Sequence, residues 1–360
     1  MESQIRLVKK IERIAVVRLS AMGDCILLQP ILLRILEYWP EVEIDWYIDK
    51  TWAPLFQDTD RLNLIAIDKP RRLRDYRKLK QQYFQQEYDV LLAVQASFRA
   101  NLLYAAIRAP LKIGFDRARA RDGQHFWTNH RIAAAQDHLR DGFGRFADLL
   151  GVPKSPMIKE RIQLAPKATL PAEFLRLGDT VPLIGILPAA SKLERSPYPE
   201  FWINLINRID QQCEKLGGRM VPKIVLLGGP SISERKLSAE ILAGIDNPIE
   251  SIVGKTNLPQ LACAINALSC LIGPDSGPLH LANALQTPVI GLYAVAPGAL
   301  SAPYRYKALT FDCYEEAVRR FLKKDPKTVP WGTRVHDRRA MKLFDPKAVS
   351  QRVMQVLAQG

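Results

Sequence analysis

The chain has 360 residues, of which 48% are hydrophobic and 24% charged, and 51 Lys and Arg stand against 37 Asp and Glu. Such a length favours two domains, and the composition excludes disordered, collagen-like and disulfide-framework classes. The net charge of +14 implies an anionic partner without choosing among nucleic acid, membrane lipid and a phosphorylated small molecule.

In chain order, Arg13–Leu19 is a β-branched run ending at Ser20-Ala21-Met22-Gly23-Asp24, and Ile26–Tyr38 carries helical apolar spacing until Pro40. Glu43–Ile48 and Asn63–Ile67 read as strands, Arg72–Phe84 as a basic helix, Asp89–Val94 as a strand and Ala100–Arg108 as a helix. Between Lys154 and Pro182 the pattern weakens under repeated prolines, which places a linker there. The alternation then restarts. Strands are predicted at Leu183–Leu187, Lys223–Leu227, Ile249–Val253, Cys270–Gly273 and Pro288–Tyr293. Helices are predicted at Glu200–Leu216, Ile232–Ala243, Leu258–Ala267 and Pro278–Leu285. Strands alternating with helices predict parallel sheets, and wholly apolar strands predict burial on both faces. The expected class is therefore α/β, with two doubly wound domains at residues 1–170 and 171–335. A final helix within 336–360, Pro346–Leu357, is a candidate to pack back on the N-terminal domain.

Other classes recede. The five cysteines form no CxxC pair or zinc spacing, which predicts free thiols and no metal site. The first residues show no apolar core or cleavage site of a signal peptide. Residues 277–304 hold no Asp, Glu, Lys or Arg, but Pro278, Pro288, Pro297 and Pro303 interrupt them, so buried soluble structure is expected rather than a membrane span. GxGxxG is absent, against a nicotinamide oxidoreductase.

In open α/β sheets ligands sit beyond the carboxyl ends of strands. Four strand-to-helix turns carry chemistry there. Gly23 and Asp24 follow the first strand; Asp24 suits a helix cap as well as a catalytic carboxylate. Ser191, Lys192 and Arg195 follow the first strand of the second domain, where cations would neutralise a diphosphate or simply sit in solvent. Glu234, after Gly228-Gly229, suits a ribose hydroxyl or a helix dipole. Asp275, Ser276, Gly277 and His280 open a helix whose N–H groups would suit phosphate. Residues 69–121 carry thirteen bases against four acids, net +9, which fits an anionic surface or a solvated face.

Gly273–Ala282 with Pro288–Tyr293, together with Arg18-Leu19-Ser20-Ala21-Met22-Gly23-Asp24, resembles glycosyltransferase family 9, the ADP-heptose:lipopolysaccharide heptosyltransferases. The resemblance spans roughly residues 13–305. It implies a GT-B fold, two Rossmann-like domains facing a central cleft. It implies metal-independent, inverting transfer of heptose from ADP-heptose to a Kdo or heptose of the lipopolysaccharide inner core, with no cofactor, since the ADP-sugar is a substrate. By position, Asp24 would be the general base. Ser191 with Lys192 or Arg195, preferably Arg195, would hold the diphosphate. Glu234 would face the ribose, Asp275 the sugar, and Ser276, Gly277 and His280 the phosphate. An anionic glycolipid acceptor would meet Gly23, Arg71, Arg72, Arg74, Arg117, Arg119 and Arg121. A cytoplasmic location follows, with peripheral contact at the inner membrane and no nucleic-acid partner. The alternatives are a GT-B enzyme for another nucleotide sugar, or a non-catalytic basic protein that binds nucleic acid or membrane. Against the family pattern, Arg195-Ser196-Pro197-Tyr198-Pro199 stands where a Lys shortly before Trp-Pro is usual, and the tail from Cys313 to His336 is long.

Overall fold

A computed structural model describes residues 10–57, 61–155, 158–178, 180–215 and 221–359. The chain divides into two compact units, Met1–Gln163 and Leu164–Gly360, inside the proline-punctuated stretch.

The first unit runs β1 (Arg13–Val17), α1 (Met22–Tyr38), β2 (Glu43–Asp49), β3 (Leu62–Ile67), α2 (Leu73–Tyr83), β4 (Val90–Leu92), α3 (Phe98–Ala106), β5 (Leu111–Gly114), β6 (His130–Arg131) and α4 (Leu139–Leu149). Its six strands are parallel in the order β3-β2-β1-β4-β5-β6. The chain reverses direction across the sheet between β1 and β4, the switch point at which such folds bind ligands. Ala15, Val17 and Tyr47 bury one sheet face against Leu79 of α2 and Leu103 and Tyr104 of α3.

The second unit runs α5 (Ala172–Leu175), β7 (Leu183–Ile186), α6 (Pro199–Lys215), β8 (Lys223–Leu226), α7 (Ile232–Gly244), β9 (Glu250–Ser251), α8 (Leu258–Asn266), β10 (Cys270–Pro274), α9 (Gly277–Ala284), β11 (Val289–Tyr293), α10 (Gly298–Ser301), β12 (Phe311–Asp312), α11 (Tyr314–Ala317) and α12 (Pro346–Leu357). The order β12-β11-β10-β7-β8-β9 repeats the first sheet's winding, with its switch point between β7 and β10. β7, β10 and β11 are buried along their whole length, as their unbroken apolar runs predict. Where β7 and β10 touch, a Cβ on Gly273 would stand 2.9 Å from Leu187 Cβ, so only glycine lets the two strand ends close up.

Sequence periodicity misses β5, β6 and α4. β5 and β6 are four and two residues long, too short to show a period. α4 contains Gly142 and Gly144, which weaken its helical signal. Gly144 instead leaves room for α1, with Arg34 Nη1 3.7 Å from its would-be Cβ. Buried Arg34 donates to Pro153 O at 2.9 Å and Val152 O at 2.5 Å. The predicted strand Ile249–Val253 shrinks to Glu250–Ser251, a sheet edge with one paired neighbour.

Residues 277–304 form α9, β11 and α10, and among the described residues no helix is long and apolar enough to cross a membrane. The final helix, α12, packs on α6 of its own unit. Val349, Val353 and Val356 join that core, and Gln212 Nε2 donates to Ser350 Oγ at 2.9 Å.

Candidate functional site

Asp24 is the third residue of α1 at the β1 carboxyl end. Its Oδ2 accepts the Ala21 N–H at 3.0 Å and pairs with Arg18. Asp24 is thus not the N-cap, which is Ala21, but bonds back to it from the third helical position. Both contacts fall on Oδ2. Arg18 also donates to Val94 O at 2.6 Å and stacks on Phe143, its guanidinium carbon 5.3 Å from the ring centre. It thus joins the ends of β1 and β4 across the switch point while fixing the Asp24 carboxylate. Gln95 adds a second link, accepting the Leu19 N–H at 2.7 Å. Gly23 lies buried within the first turn of α1.

Beside this turn is a cavity of about 370 Å³ lined by Leu19, Ser20, Lys69, Gln95, Ser97, Phe98 and Arg99. These residues follow β1, β3 and β4 on one sheet edge. Lys69 and Arg99 belong to the basic stretch 69–121 read from sequence, whereas Gln95 carries no signal there beyond its position after a strand. Of the predicted acceptor residues, Arg71, Arg72, Arg74, Arg117 and Arg121 are exposed on this edge. Arg119 is tied down instead: it pairs with buried Asp116 and donates to Ala133 O at 3.0 Å.

In the second unit three predicted residues, Ser191, Arg195 and Asp275, meet at the β7–β10 switch point. Arg195 Nη1 donates to Asp275 Oδ2 at 2.9 Å, and Nη2 donates to Ser191 Oγ at 3.1 Å. Ser301, missed from sequence, lies with Oγ 3.5 Å from Asp275 Oδ1. Ser276 occupies the N-cap position of α9 without a side-chain cap, and its Oγ is buried with no hydrogen-bond partner among the described residues. Gly277 is the first helical residue, and His280 is buried one turn along. Lys192 is exposed and outside this hydrogen-bonded group.

Glu234 sits in the first turn of α7. Its carboxylate accepts the Gly229 N–H at 2.8 Å and the Ser231 hydroxyl at 2.5 Å. A Cβ on Gly229 would come within 2.9 Å of Glu234 Oε2, so the Gly-Gly turn is what admits the carboxylate.

The long tail braces the loop that carries Ser191 and Arg195. Arg338 donates to Ser196 O at 3.1 Å and Pro197 O at 3.2 Å, and lies 4.2 Å from the Tyr198 ring centre. His336 Nδ1 is 3.0 Å from Glu194 Oε1. Ser196 Oγ in turn accepts the Ala190 N–H at 2.9 Å. Contacts spanning some 140 residues leave no local trace in sequence.

Among the described residues no His, Cys, Asp and Glu cluster could hold a metal ion, and all five cysteines are free.

The family model of glycosyltransferase family 9 (heptosyltransferase) matches residues 76–328. The chain is 31% identical over 329 residues to the lipopolysaccharide core heptosyltransferase OpsX of Haemophilus influenzae, covering 91% of this chain and 92% of that one. Among solved structures, it is similar to a glycosyltransferase family 9 protein from Veillonella parvula, with a TM-score of 0.77 at 20% identity, covering 97% and 98% of the two chains. It is similar too to the E. coli heptosyltransferase WaaC with ADP-2-deoxy-2-fluoro heptose, with a TM-score of 0.58 at 19% identity, covering 78% and 89%. With two identically wound parallel sheets and a family match over most of its length, this chain belongs to glycosyltransferase family 9, the heptosyltransferases.

Proposed function

We propose that this enzyme transfers heptose from ADP-heptose to a Kdo or heptose residue of a lipopolysaccharide inner core, with inversion at the anomeric carbon. The observation that carries this reading is the Ser191–Arg195–Asp275 group beside the α9 N-terminus at the second switch point. A diphosphate there would meet a cation, the Gly277 N–H group, and the buried Ser276 hydroxyl. An unsatisfied buried hydroxyl is costly, and a phosphate oxygen would relieve that cost. Glu234 retains lone pairs for ribose hydroxyls, Asp275 faces the sugar, and His280 lies beside the phosphates.

In the transfer step, Asp24 takes the proton of the acceptor hydroxyl as its oxygen bonds to the anomeric carbon. The bond from that carbon to the phosphate oxygen breaks, and ADP leaves with the electron pair. Fixed donors and cations stabilise the charge that develops on the leaving oxygen. We assign this task to Arg195, Ser191 and the α9 terminus rather than to a metal ion. Arg18 orients Asp24. The acceptor is an anionic glycolipid met by the exposed arginines of the first unit's carboxyl edge, and on this reading the protein works in the cytoplasm at the inner membrane.

Calorimetric titration with ADP, UDP, GDP and CMP, followed by turnover of ADP-heptose in the presence of EDTA, tests this reading. One-site binding that prefers ADP and survives moderate salt, with turnover unaffected by EDTA, is the expected result. A preference for UDP would discard the heptose donor, and loss of turnover in EDTA would discard the metal-independent step.

A further inference from the structure

Leu73, Phe98 and Phe126 are 75%, 64% and 76% exposed. Each belongs to a different crossover on one edge of the first sheet. Leu73 opens α2 after β3, Phe98 opens α3 after β4, and Phe126 lies between β5 and β6. Hydrogen bonds tie the three places together. Tyr76, one helical turn beyond Leu73, donates its hydroxyl to Arg99 O at 3.3 Å. The Phe98 N–H donates to Asp122 Oδ2 at 2.9 Å, and Asn101 Nδ2 donates to the carbonyls of Arg121 at 3.0 Å and Asp122 at 2.8 Å. Gln124, two residues before Phe126, donates to Ala93 O at 2.8 Å beyond the end of β4.

Around these apolar tips Arg71, Arg72, Arg74, Arg99, Arg117 and Arg121 are exposed. The nearby acids are already engaged. Asp75 accepts the Arg71 and Arg72 N–H groups, Asp116 is buried against Arg119, Asp122 takes the Phe98 N–H, and Asp68 pairs with Lys50. The edge is thus cationic with protruding apolar side chains. Basic side chains draw a protein to anionic headgroups, and apolar ones enter the boundary between headgroup and acyl chain. A merely solvated basic face has no reason to expose Leu73 and Phe126 in the same ring.

We propose that the carboxyl edge of the first sheet docks on an anionic bilayer, with Leu73, Phe98 and Phe126 inserted and the flanking arginines on headgroups. The inference rests on the acceptor being a membrane glycolipid. It deepens that reading by bringing the bilayer to the sheet edge that carries Asp24 and the adjoining cavity.

The test is co-sedimentation of the full chain with phosphatidylglycerol-containing and with pure phosphatidylcholine vesicles. Wild type is compared with the double variant Leu73→Ser, Phe126→Ser, whose side chains are exposed, so its melting midpoint should not move. Expected are a preference of wild type for the anionic vesicles and a partition about tenfold weaker in the variant. Turnover on a soluble, deacylated acceptor should be equal in the two proteins, and turnover on vesicle-borne acceptor lower in the variant. Equal sedimentation with both vesicle types, or of both proteins, would overturn the docking surface. So would binding that moderate salt abolishes identically in both, the mark of a basic surface without insertion. Failure of both proteins to glycosylate the soluble acceptor would instead sink the proposed function, and the vesicle measurement reads docking independently of it.

Discussion

The two sheets share one strand order, yet the cations on their carboxyl edges are held in opposite ways. In the second unit, Arg195 ties the loop after β7 to Asp275 after β10, Ser301 approaches the same carboxylate, and Arg338 clamps the loop from outside. In the first unit Arg18 and Gln95 fix the turn at Asp24, and Asn101, Asp122 and Gln124 tie the loops after β4 and β5, but most of the arginine side chains on those loops are not held. The guanidinium groups of Arg71, Arg72, Arg117 and Arg121 have no hydrogen bond or ion pair among the described residues. A small, multiply charged ligand gains from cations already in place, since little ordering remains to be done when it binds. An extended anionic surface presents charge over a wide area and requires no single geometry. The difference therefore follows from what each edge is proposed to hold.

The sharpest way to break this comparison is Asp24→Asn, which removes the proposed base at the turn that Arg18 fixes on the first edge. General-base loss lowers turnover by about 10²–10⁴-fold. ADP affinity should stay unchanged, because no donor contact is assigned to Asp24. Near-normal turnover in single-turnover kinetics would leave Asp24 only its bond back to the helix N-cap.

Arg195→Ala probes the braced edge. It deletes two side-chain hydrogen bonds, one of them to a nearly buried carboxylate. A hydrogen bond to a charged group contributes about 1.5–3 kcal/mol, so donor affinity should fall by roughly 10- to 100-fold. The KM for acceptor should not move. An equal loss in both would mean that Arg195 supports the fold rather than the donor.

Much of this was legible in sequence, for a physical reason. Buried parallel strands must be apolar, so their runs, and hence the turns after them, stand out. Asp24, Arg195, Glu234 and Asp275 all lie in such turns, and all four are found at strand ends. What escaped notice is set by distance or brevity. Arg18 reaches Val94, Gln95 reaches Leu19, and Arg338 reaches Ser196, through contacts between segments that sequence periodicity treats separately. β6 has two residues and α4 two glycines, so neither announces itself. The same limit kept the tail's role hidden, since its length alone says nothing of where it lands.

Arg338→Ala sharpens the comparison most finely, because Arg338 is assigned no ligand contact and would act only through the loop it holds. The substitution removes two hydrogen bonds to carbonyls and a cation over Tyr198, while Ser196 Oγ keeps its bond to the Ala190 N–H. The loop should loosen rather than unfold. Ordering it again on binding would weaken ADP affinity by about threefold to tenfold, the scale of one or two modest hydrogen bonds. Arg338→Lys restores a charge over the ring but not the two-pronged hold on the carbonyls, so it should recover only part of the loss. Calorimetry with ADP, read beside the melting midpoint and the KM for acceptor, separates the outcomes. A weaker ADP affinity with an unchanged acceptor KM places the brace in donor binding. A lowered midpoint with both constants intact would reduce the tail to a stabilising strap, and the contrast between the two edges would then rest on Arg195 and Asp275 alone.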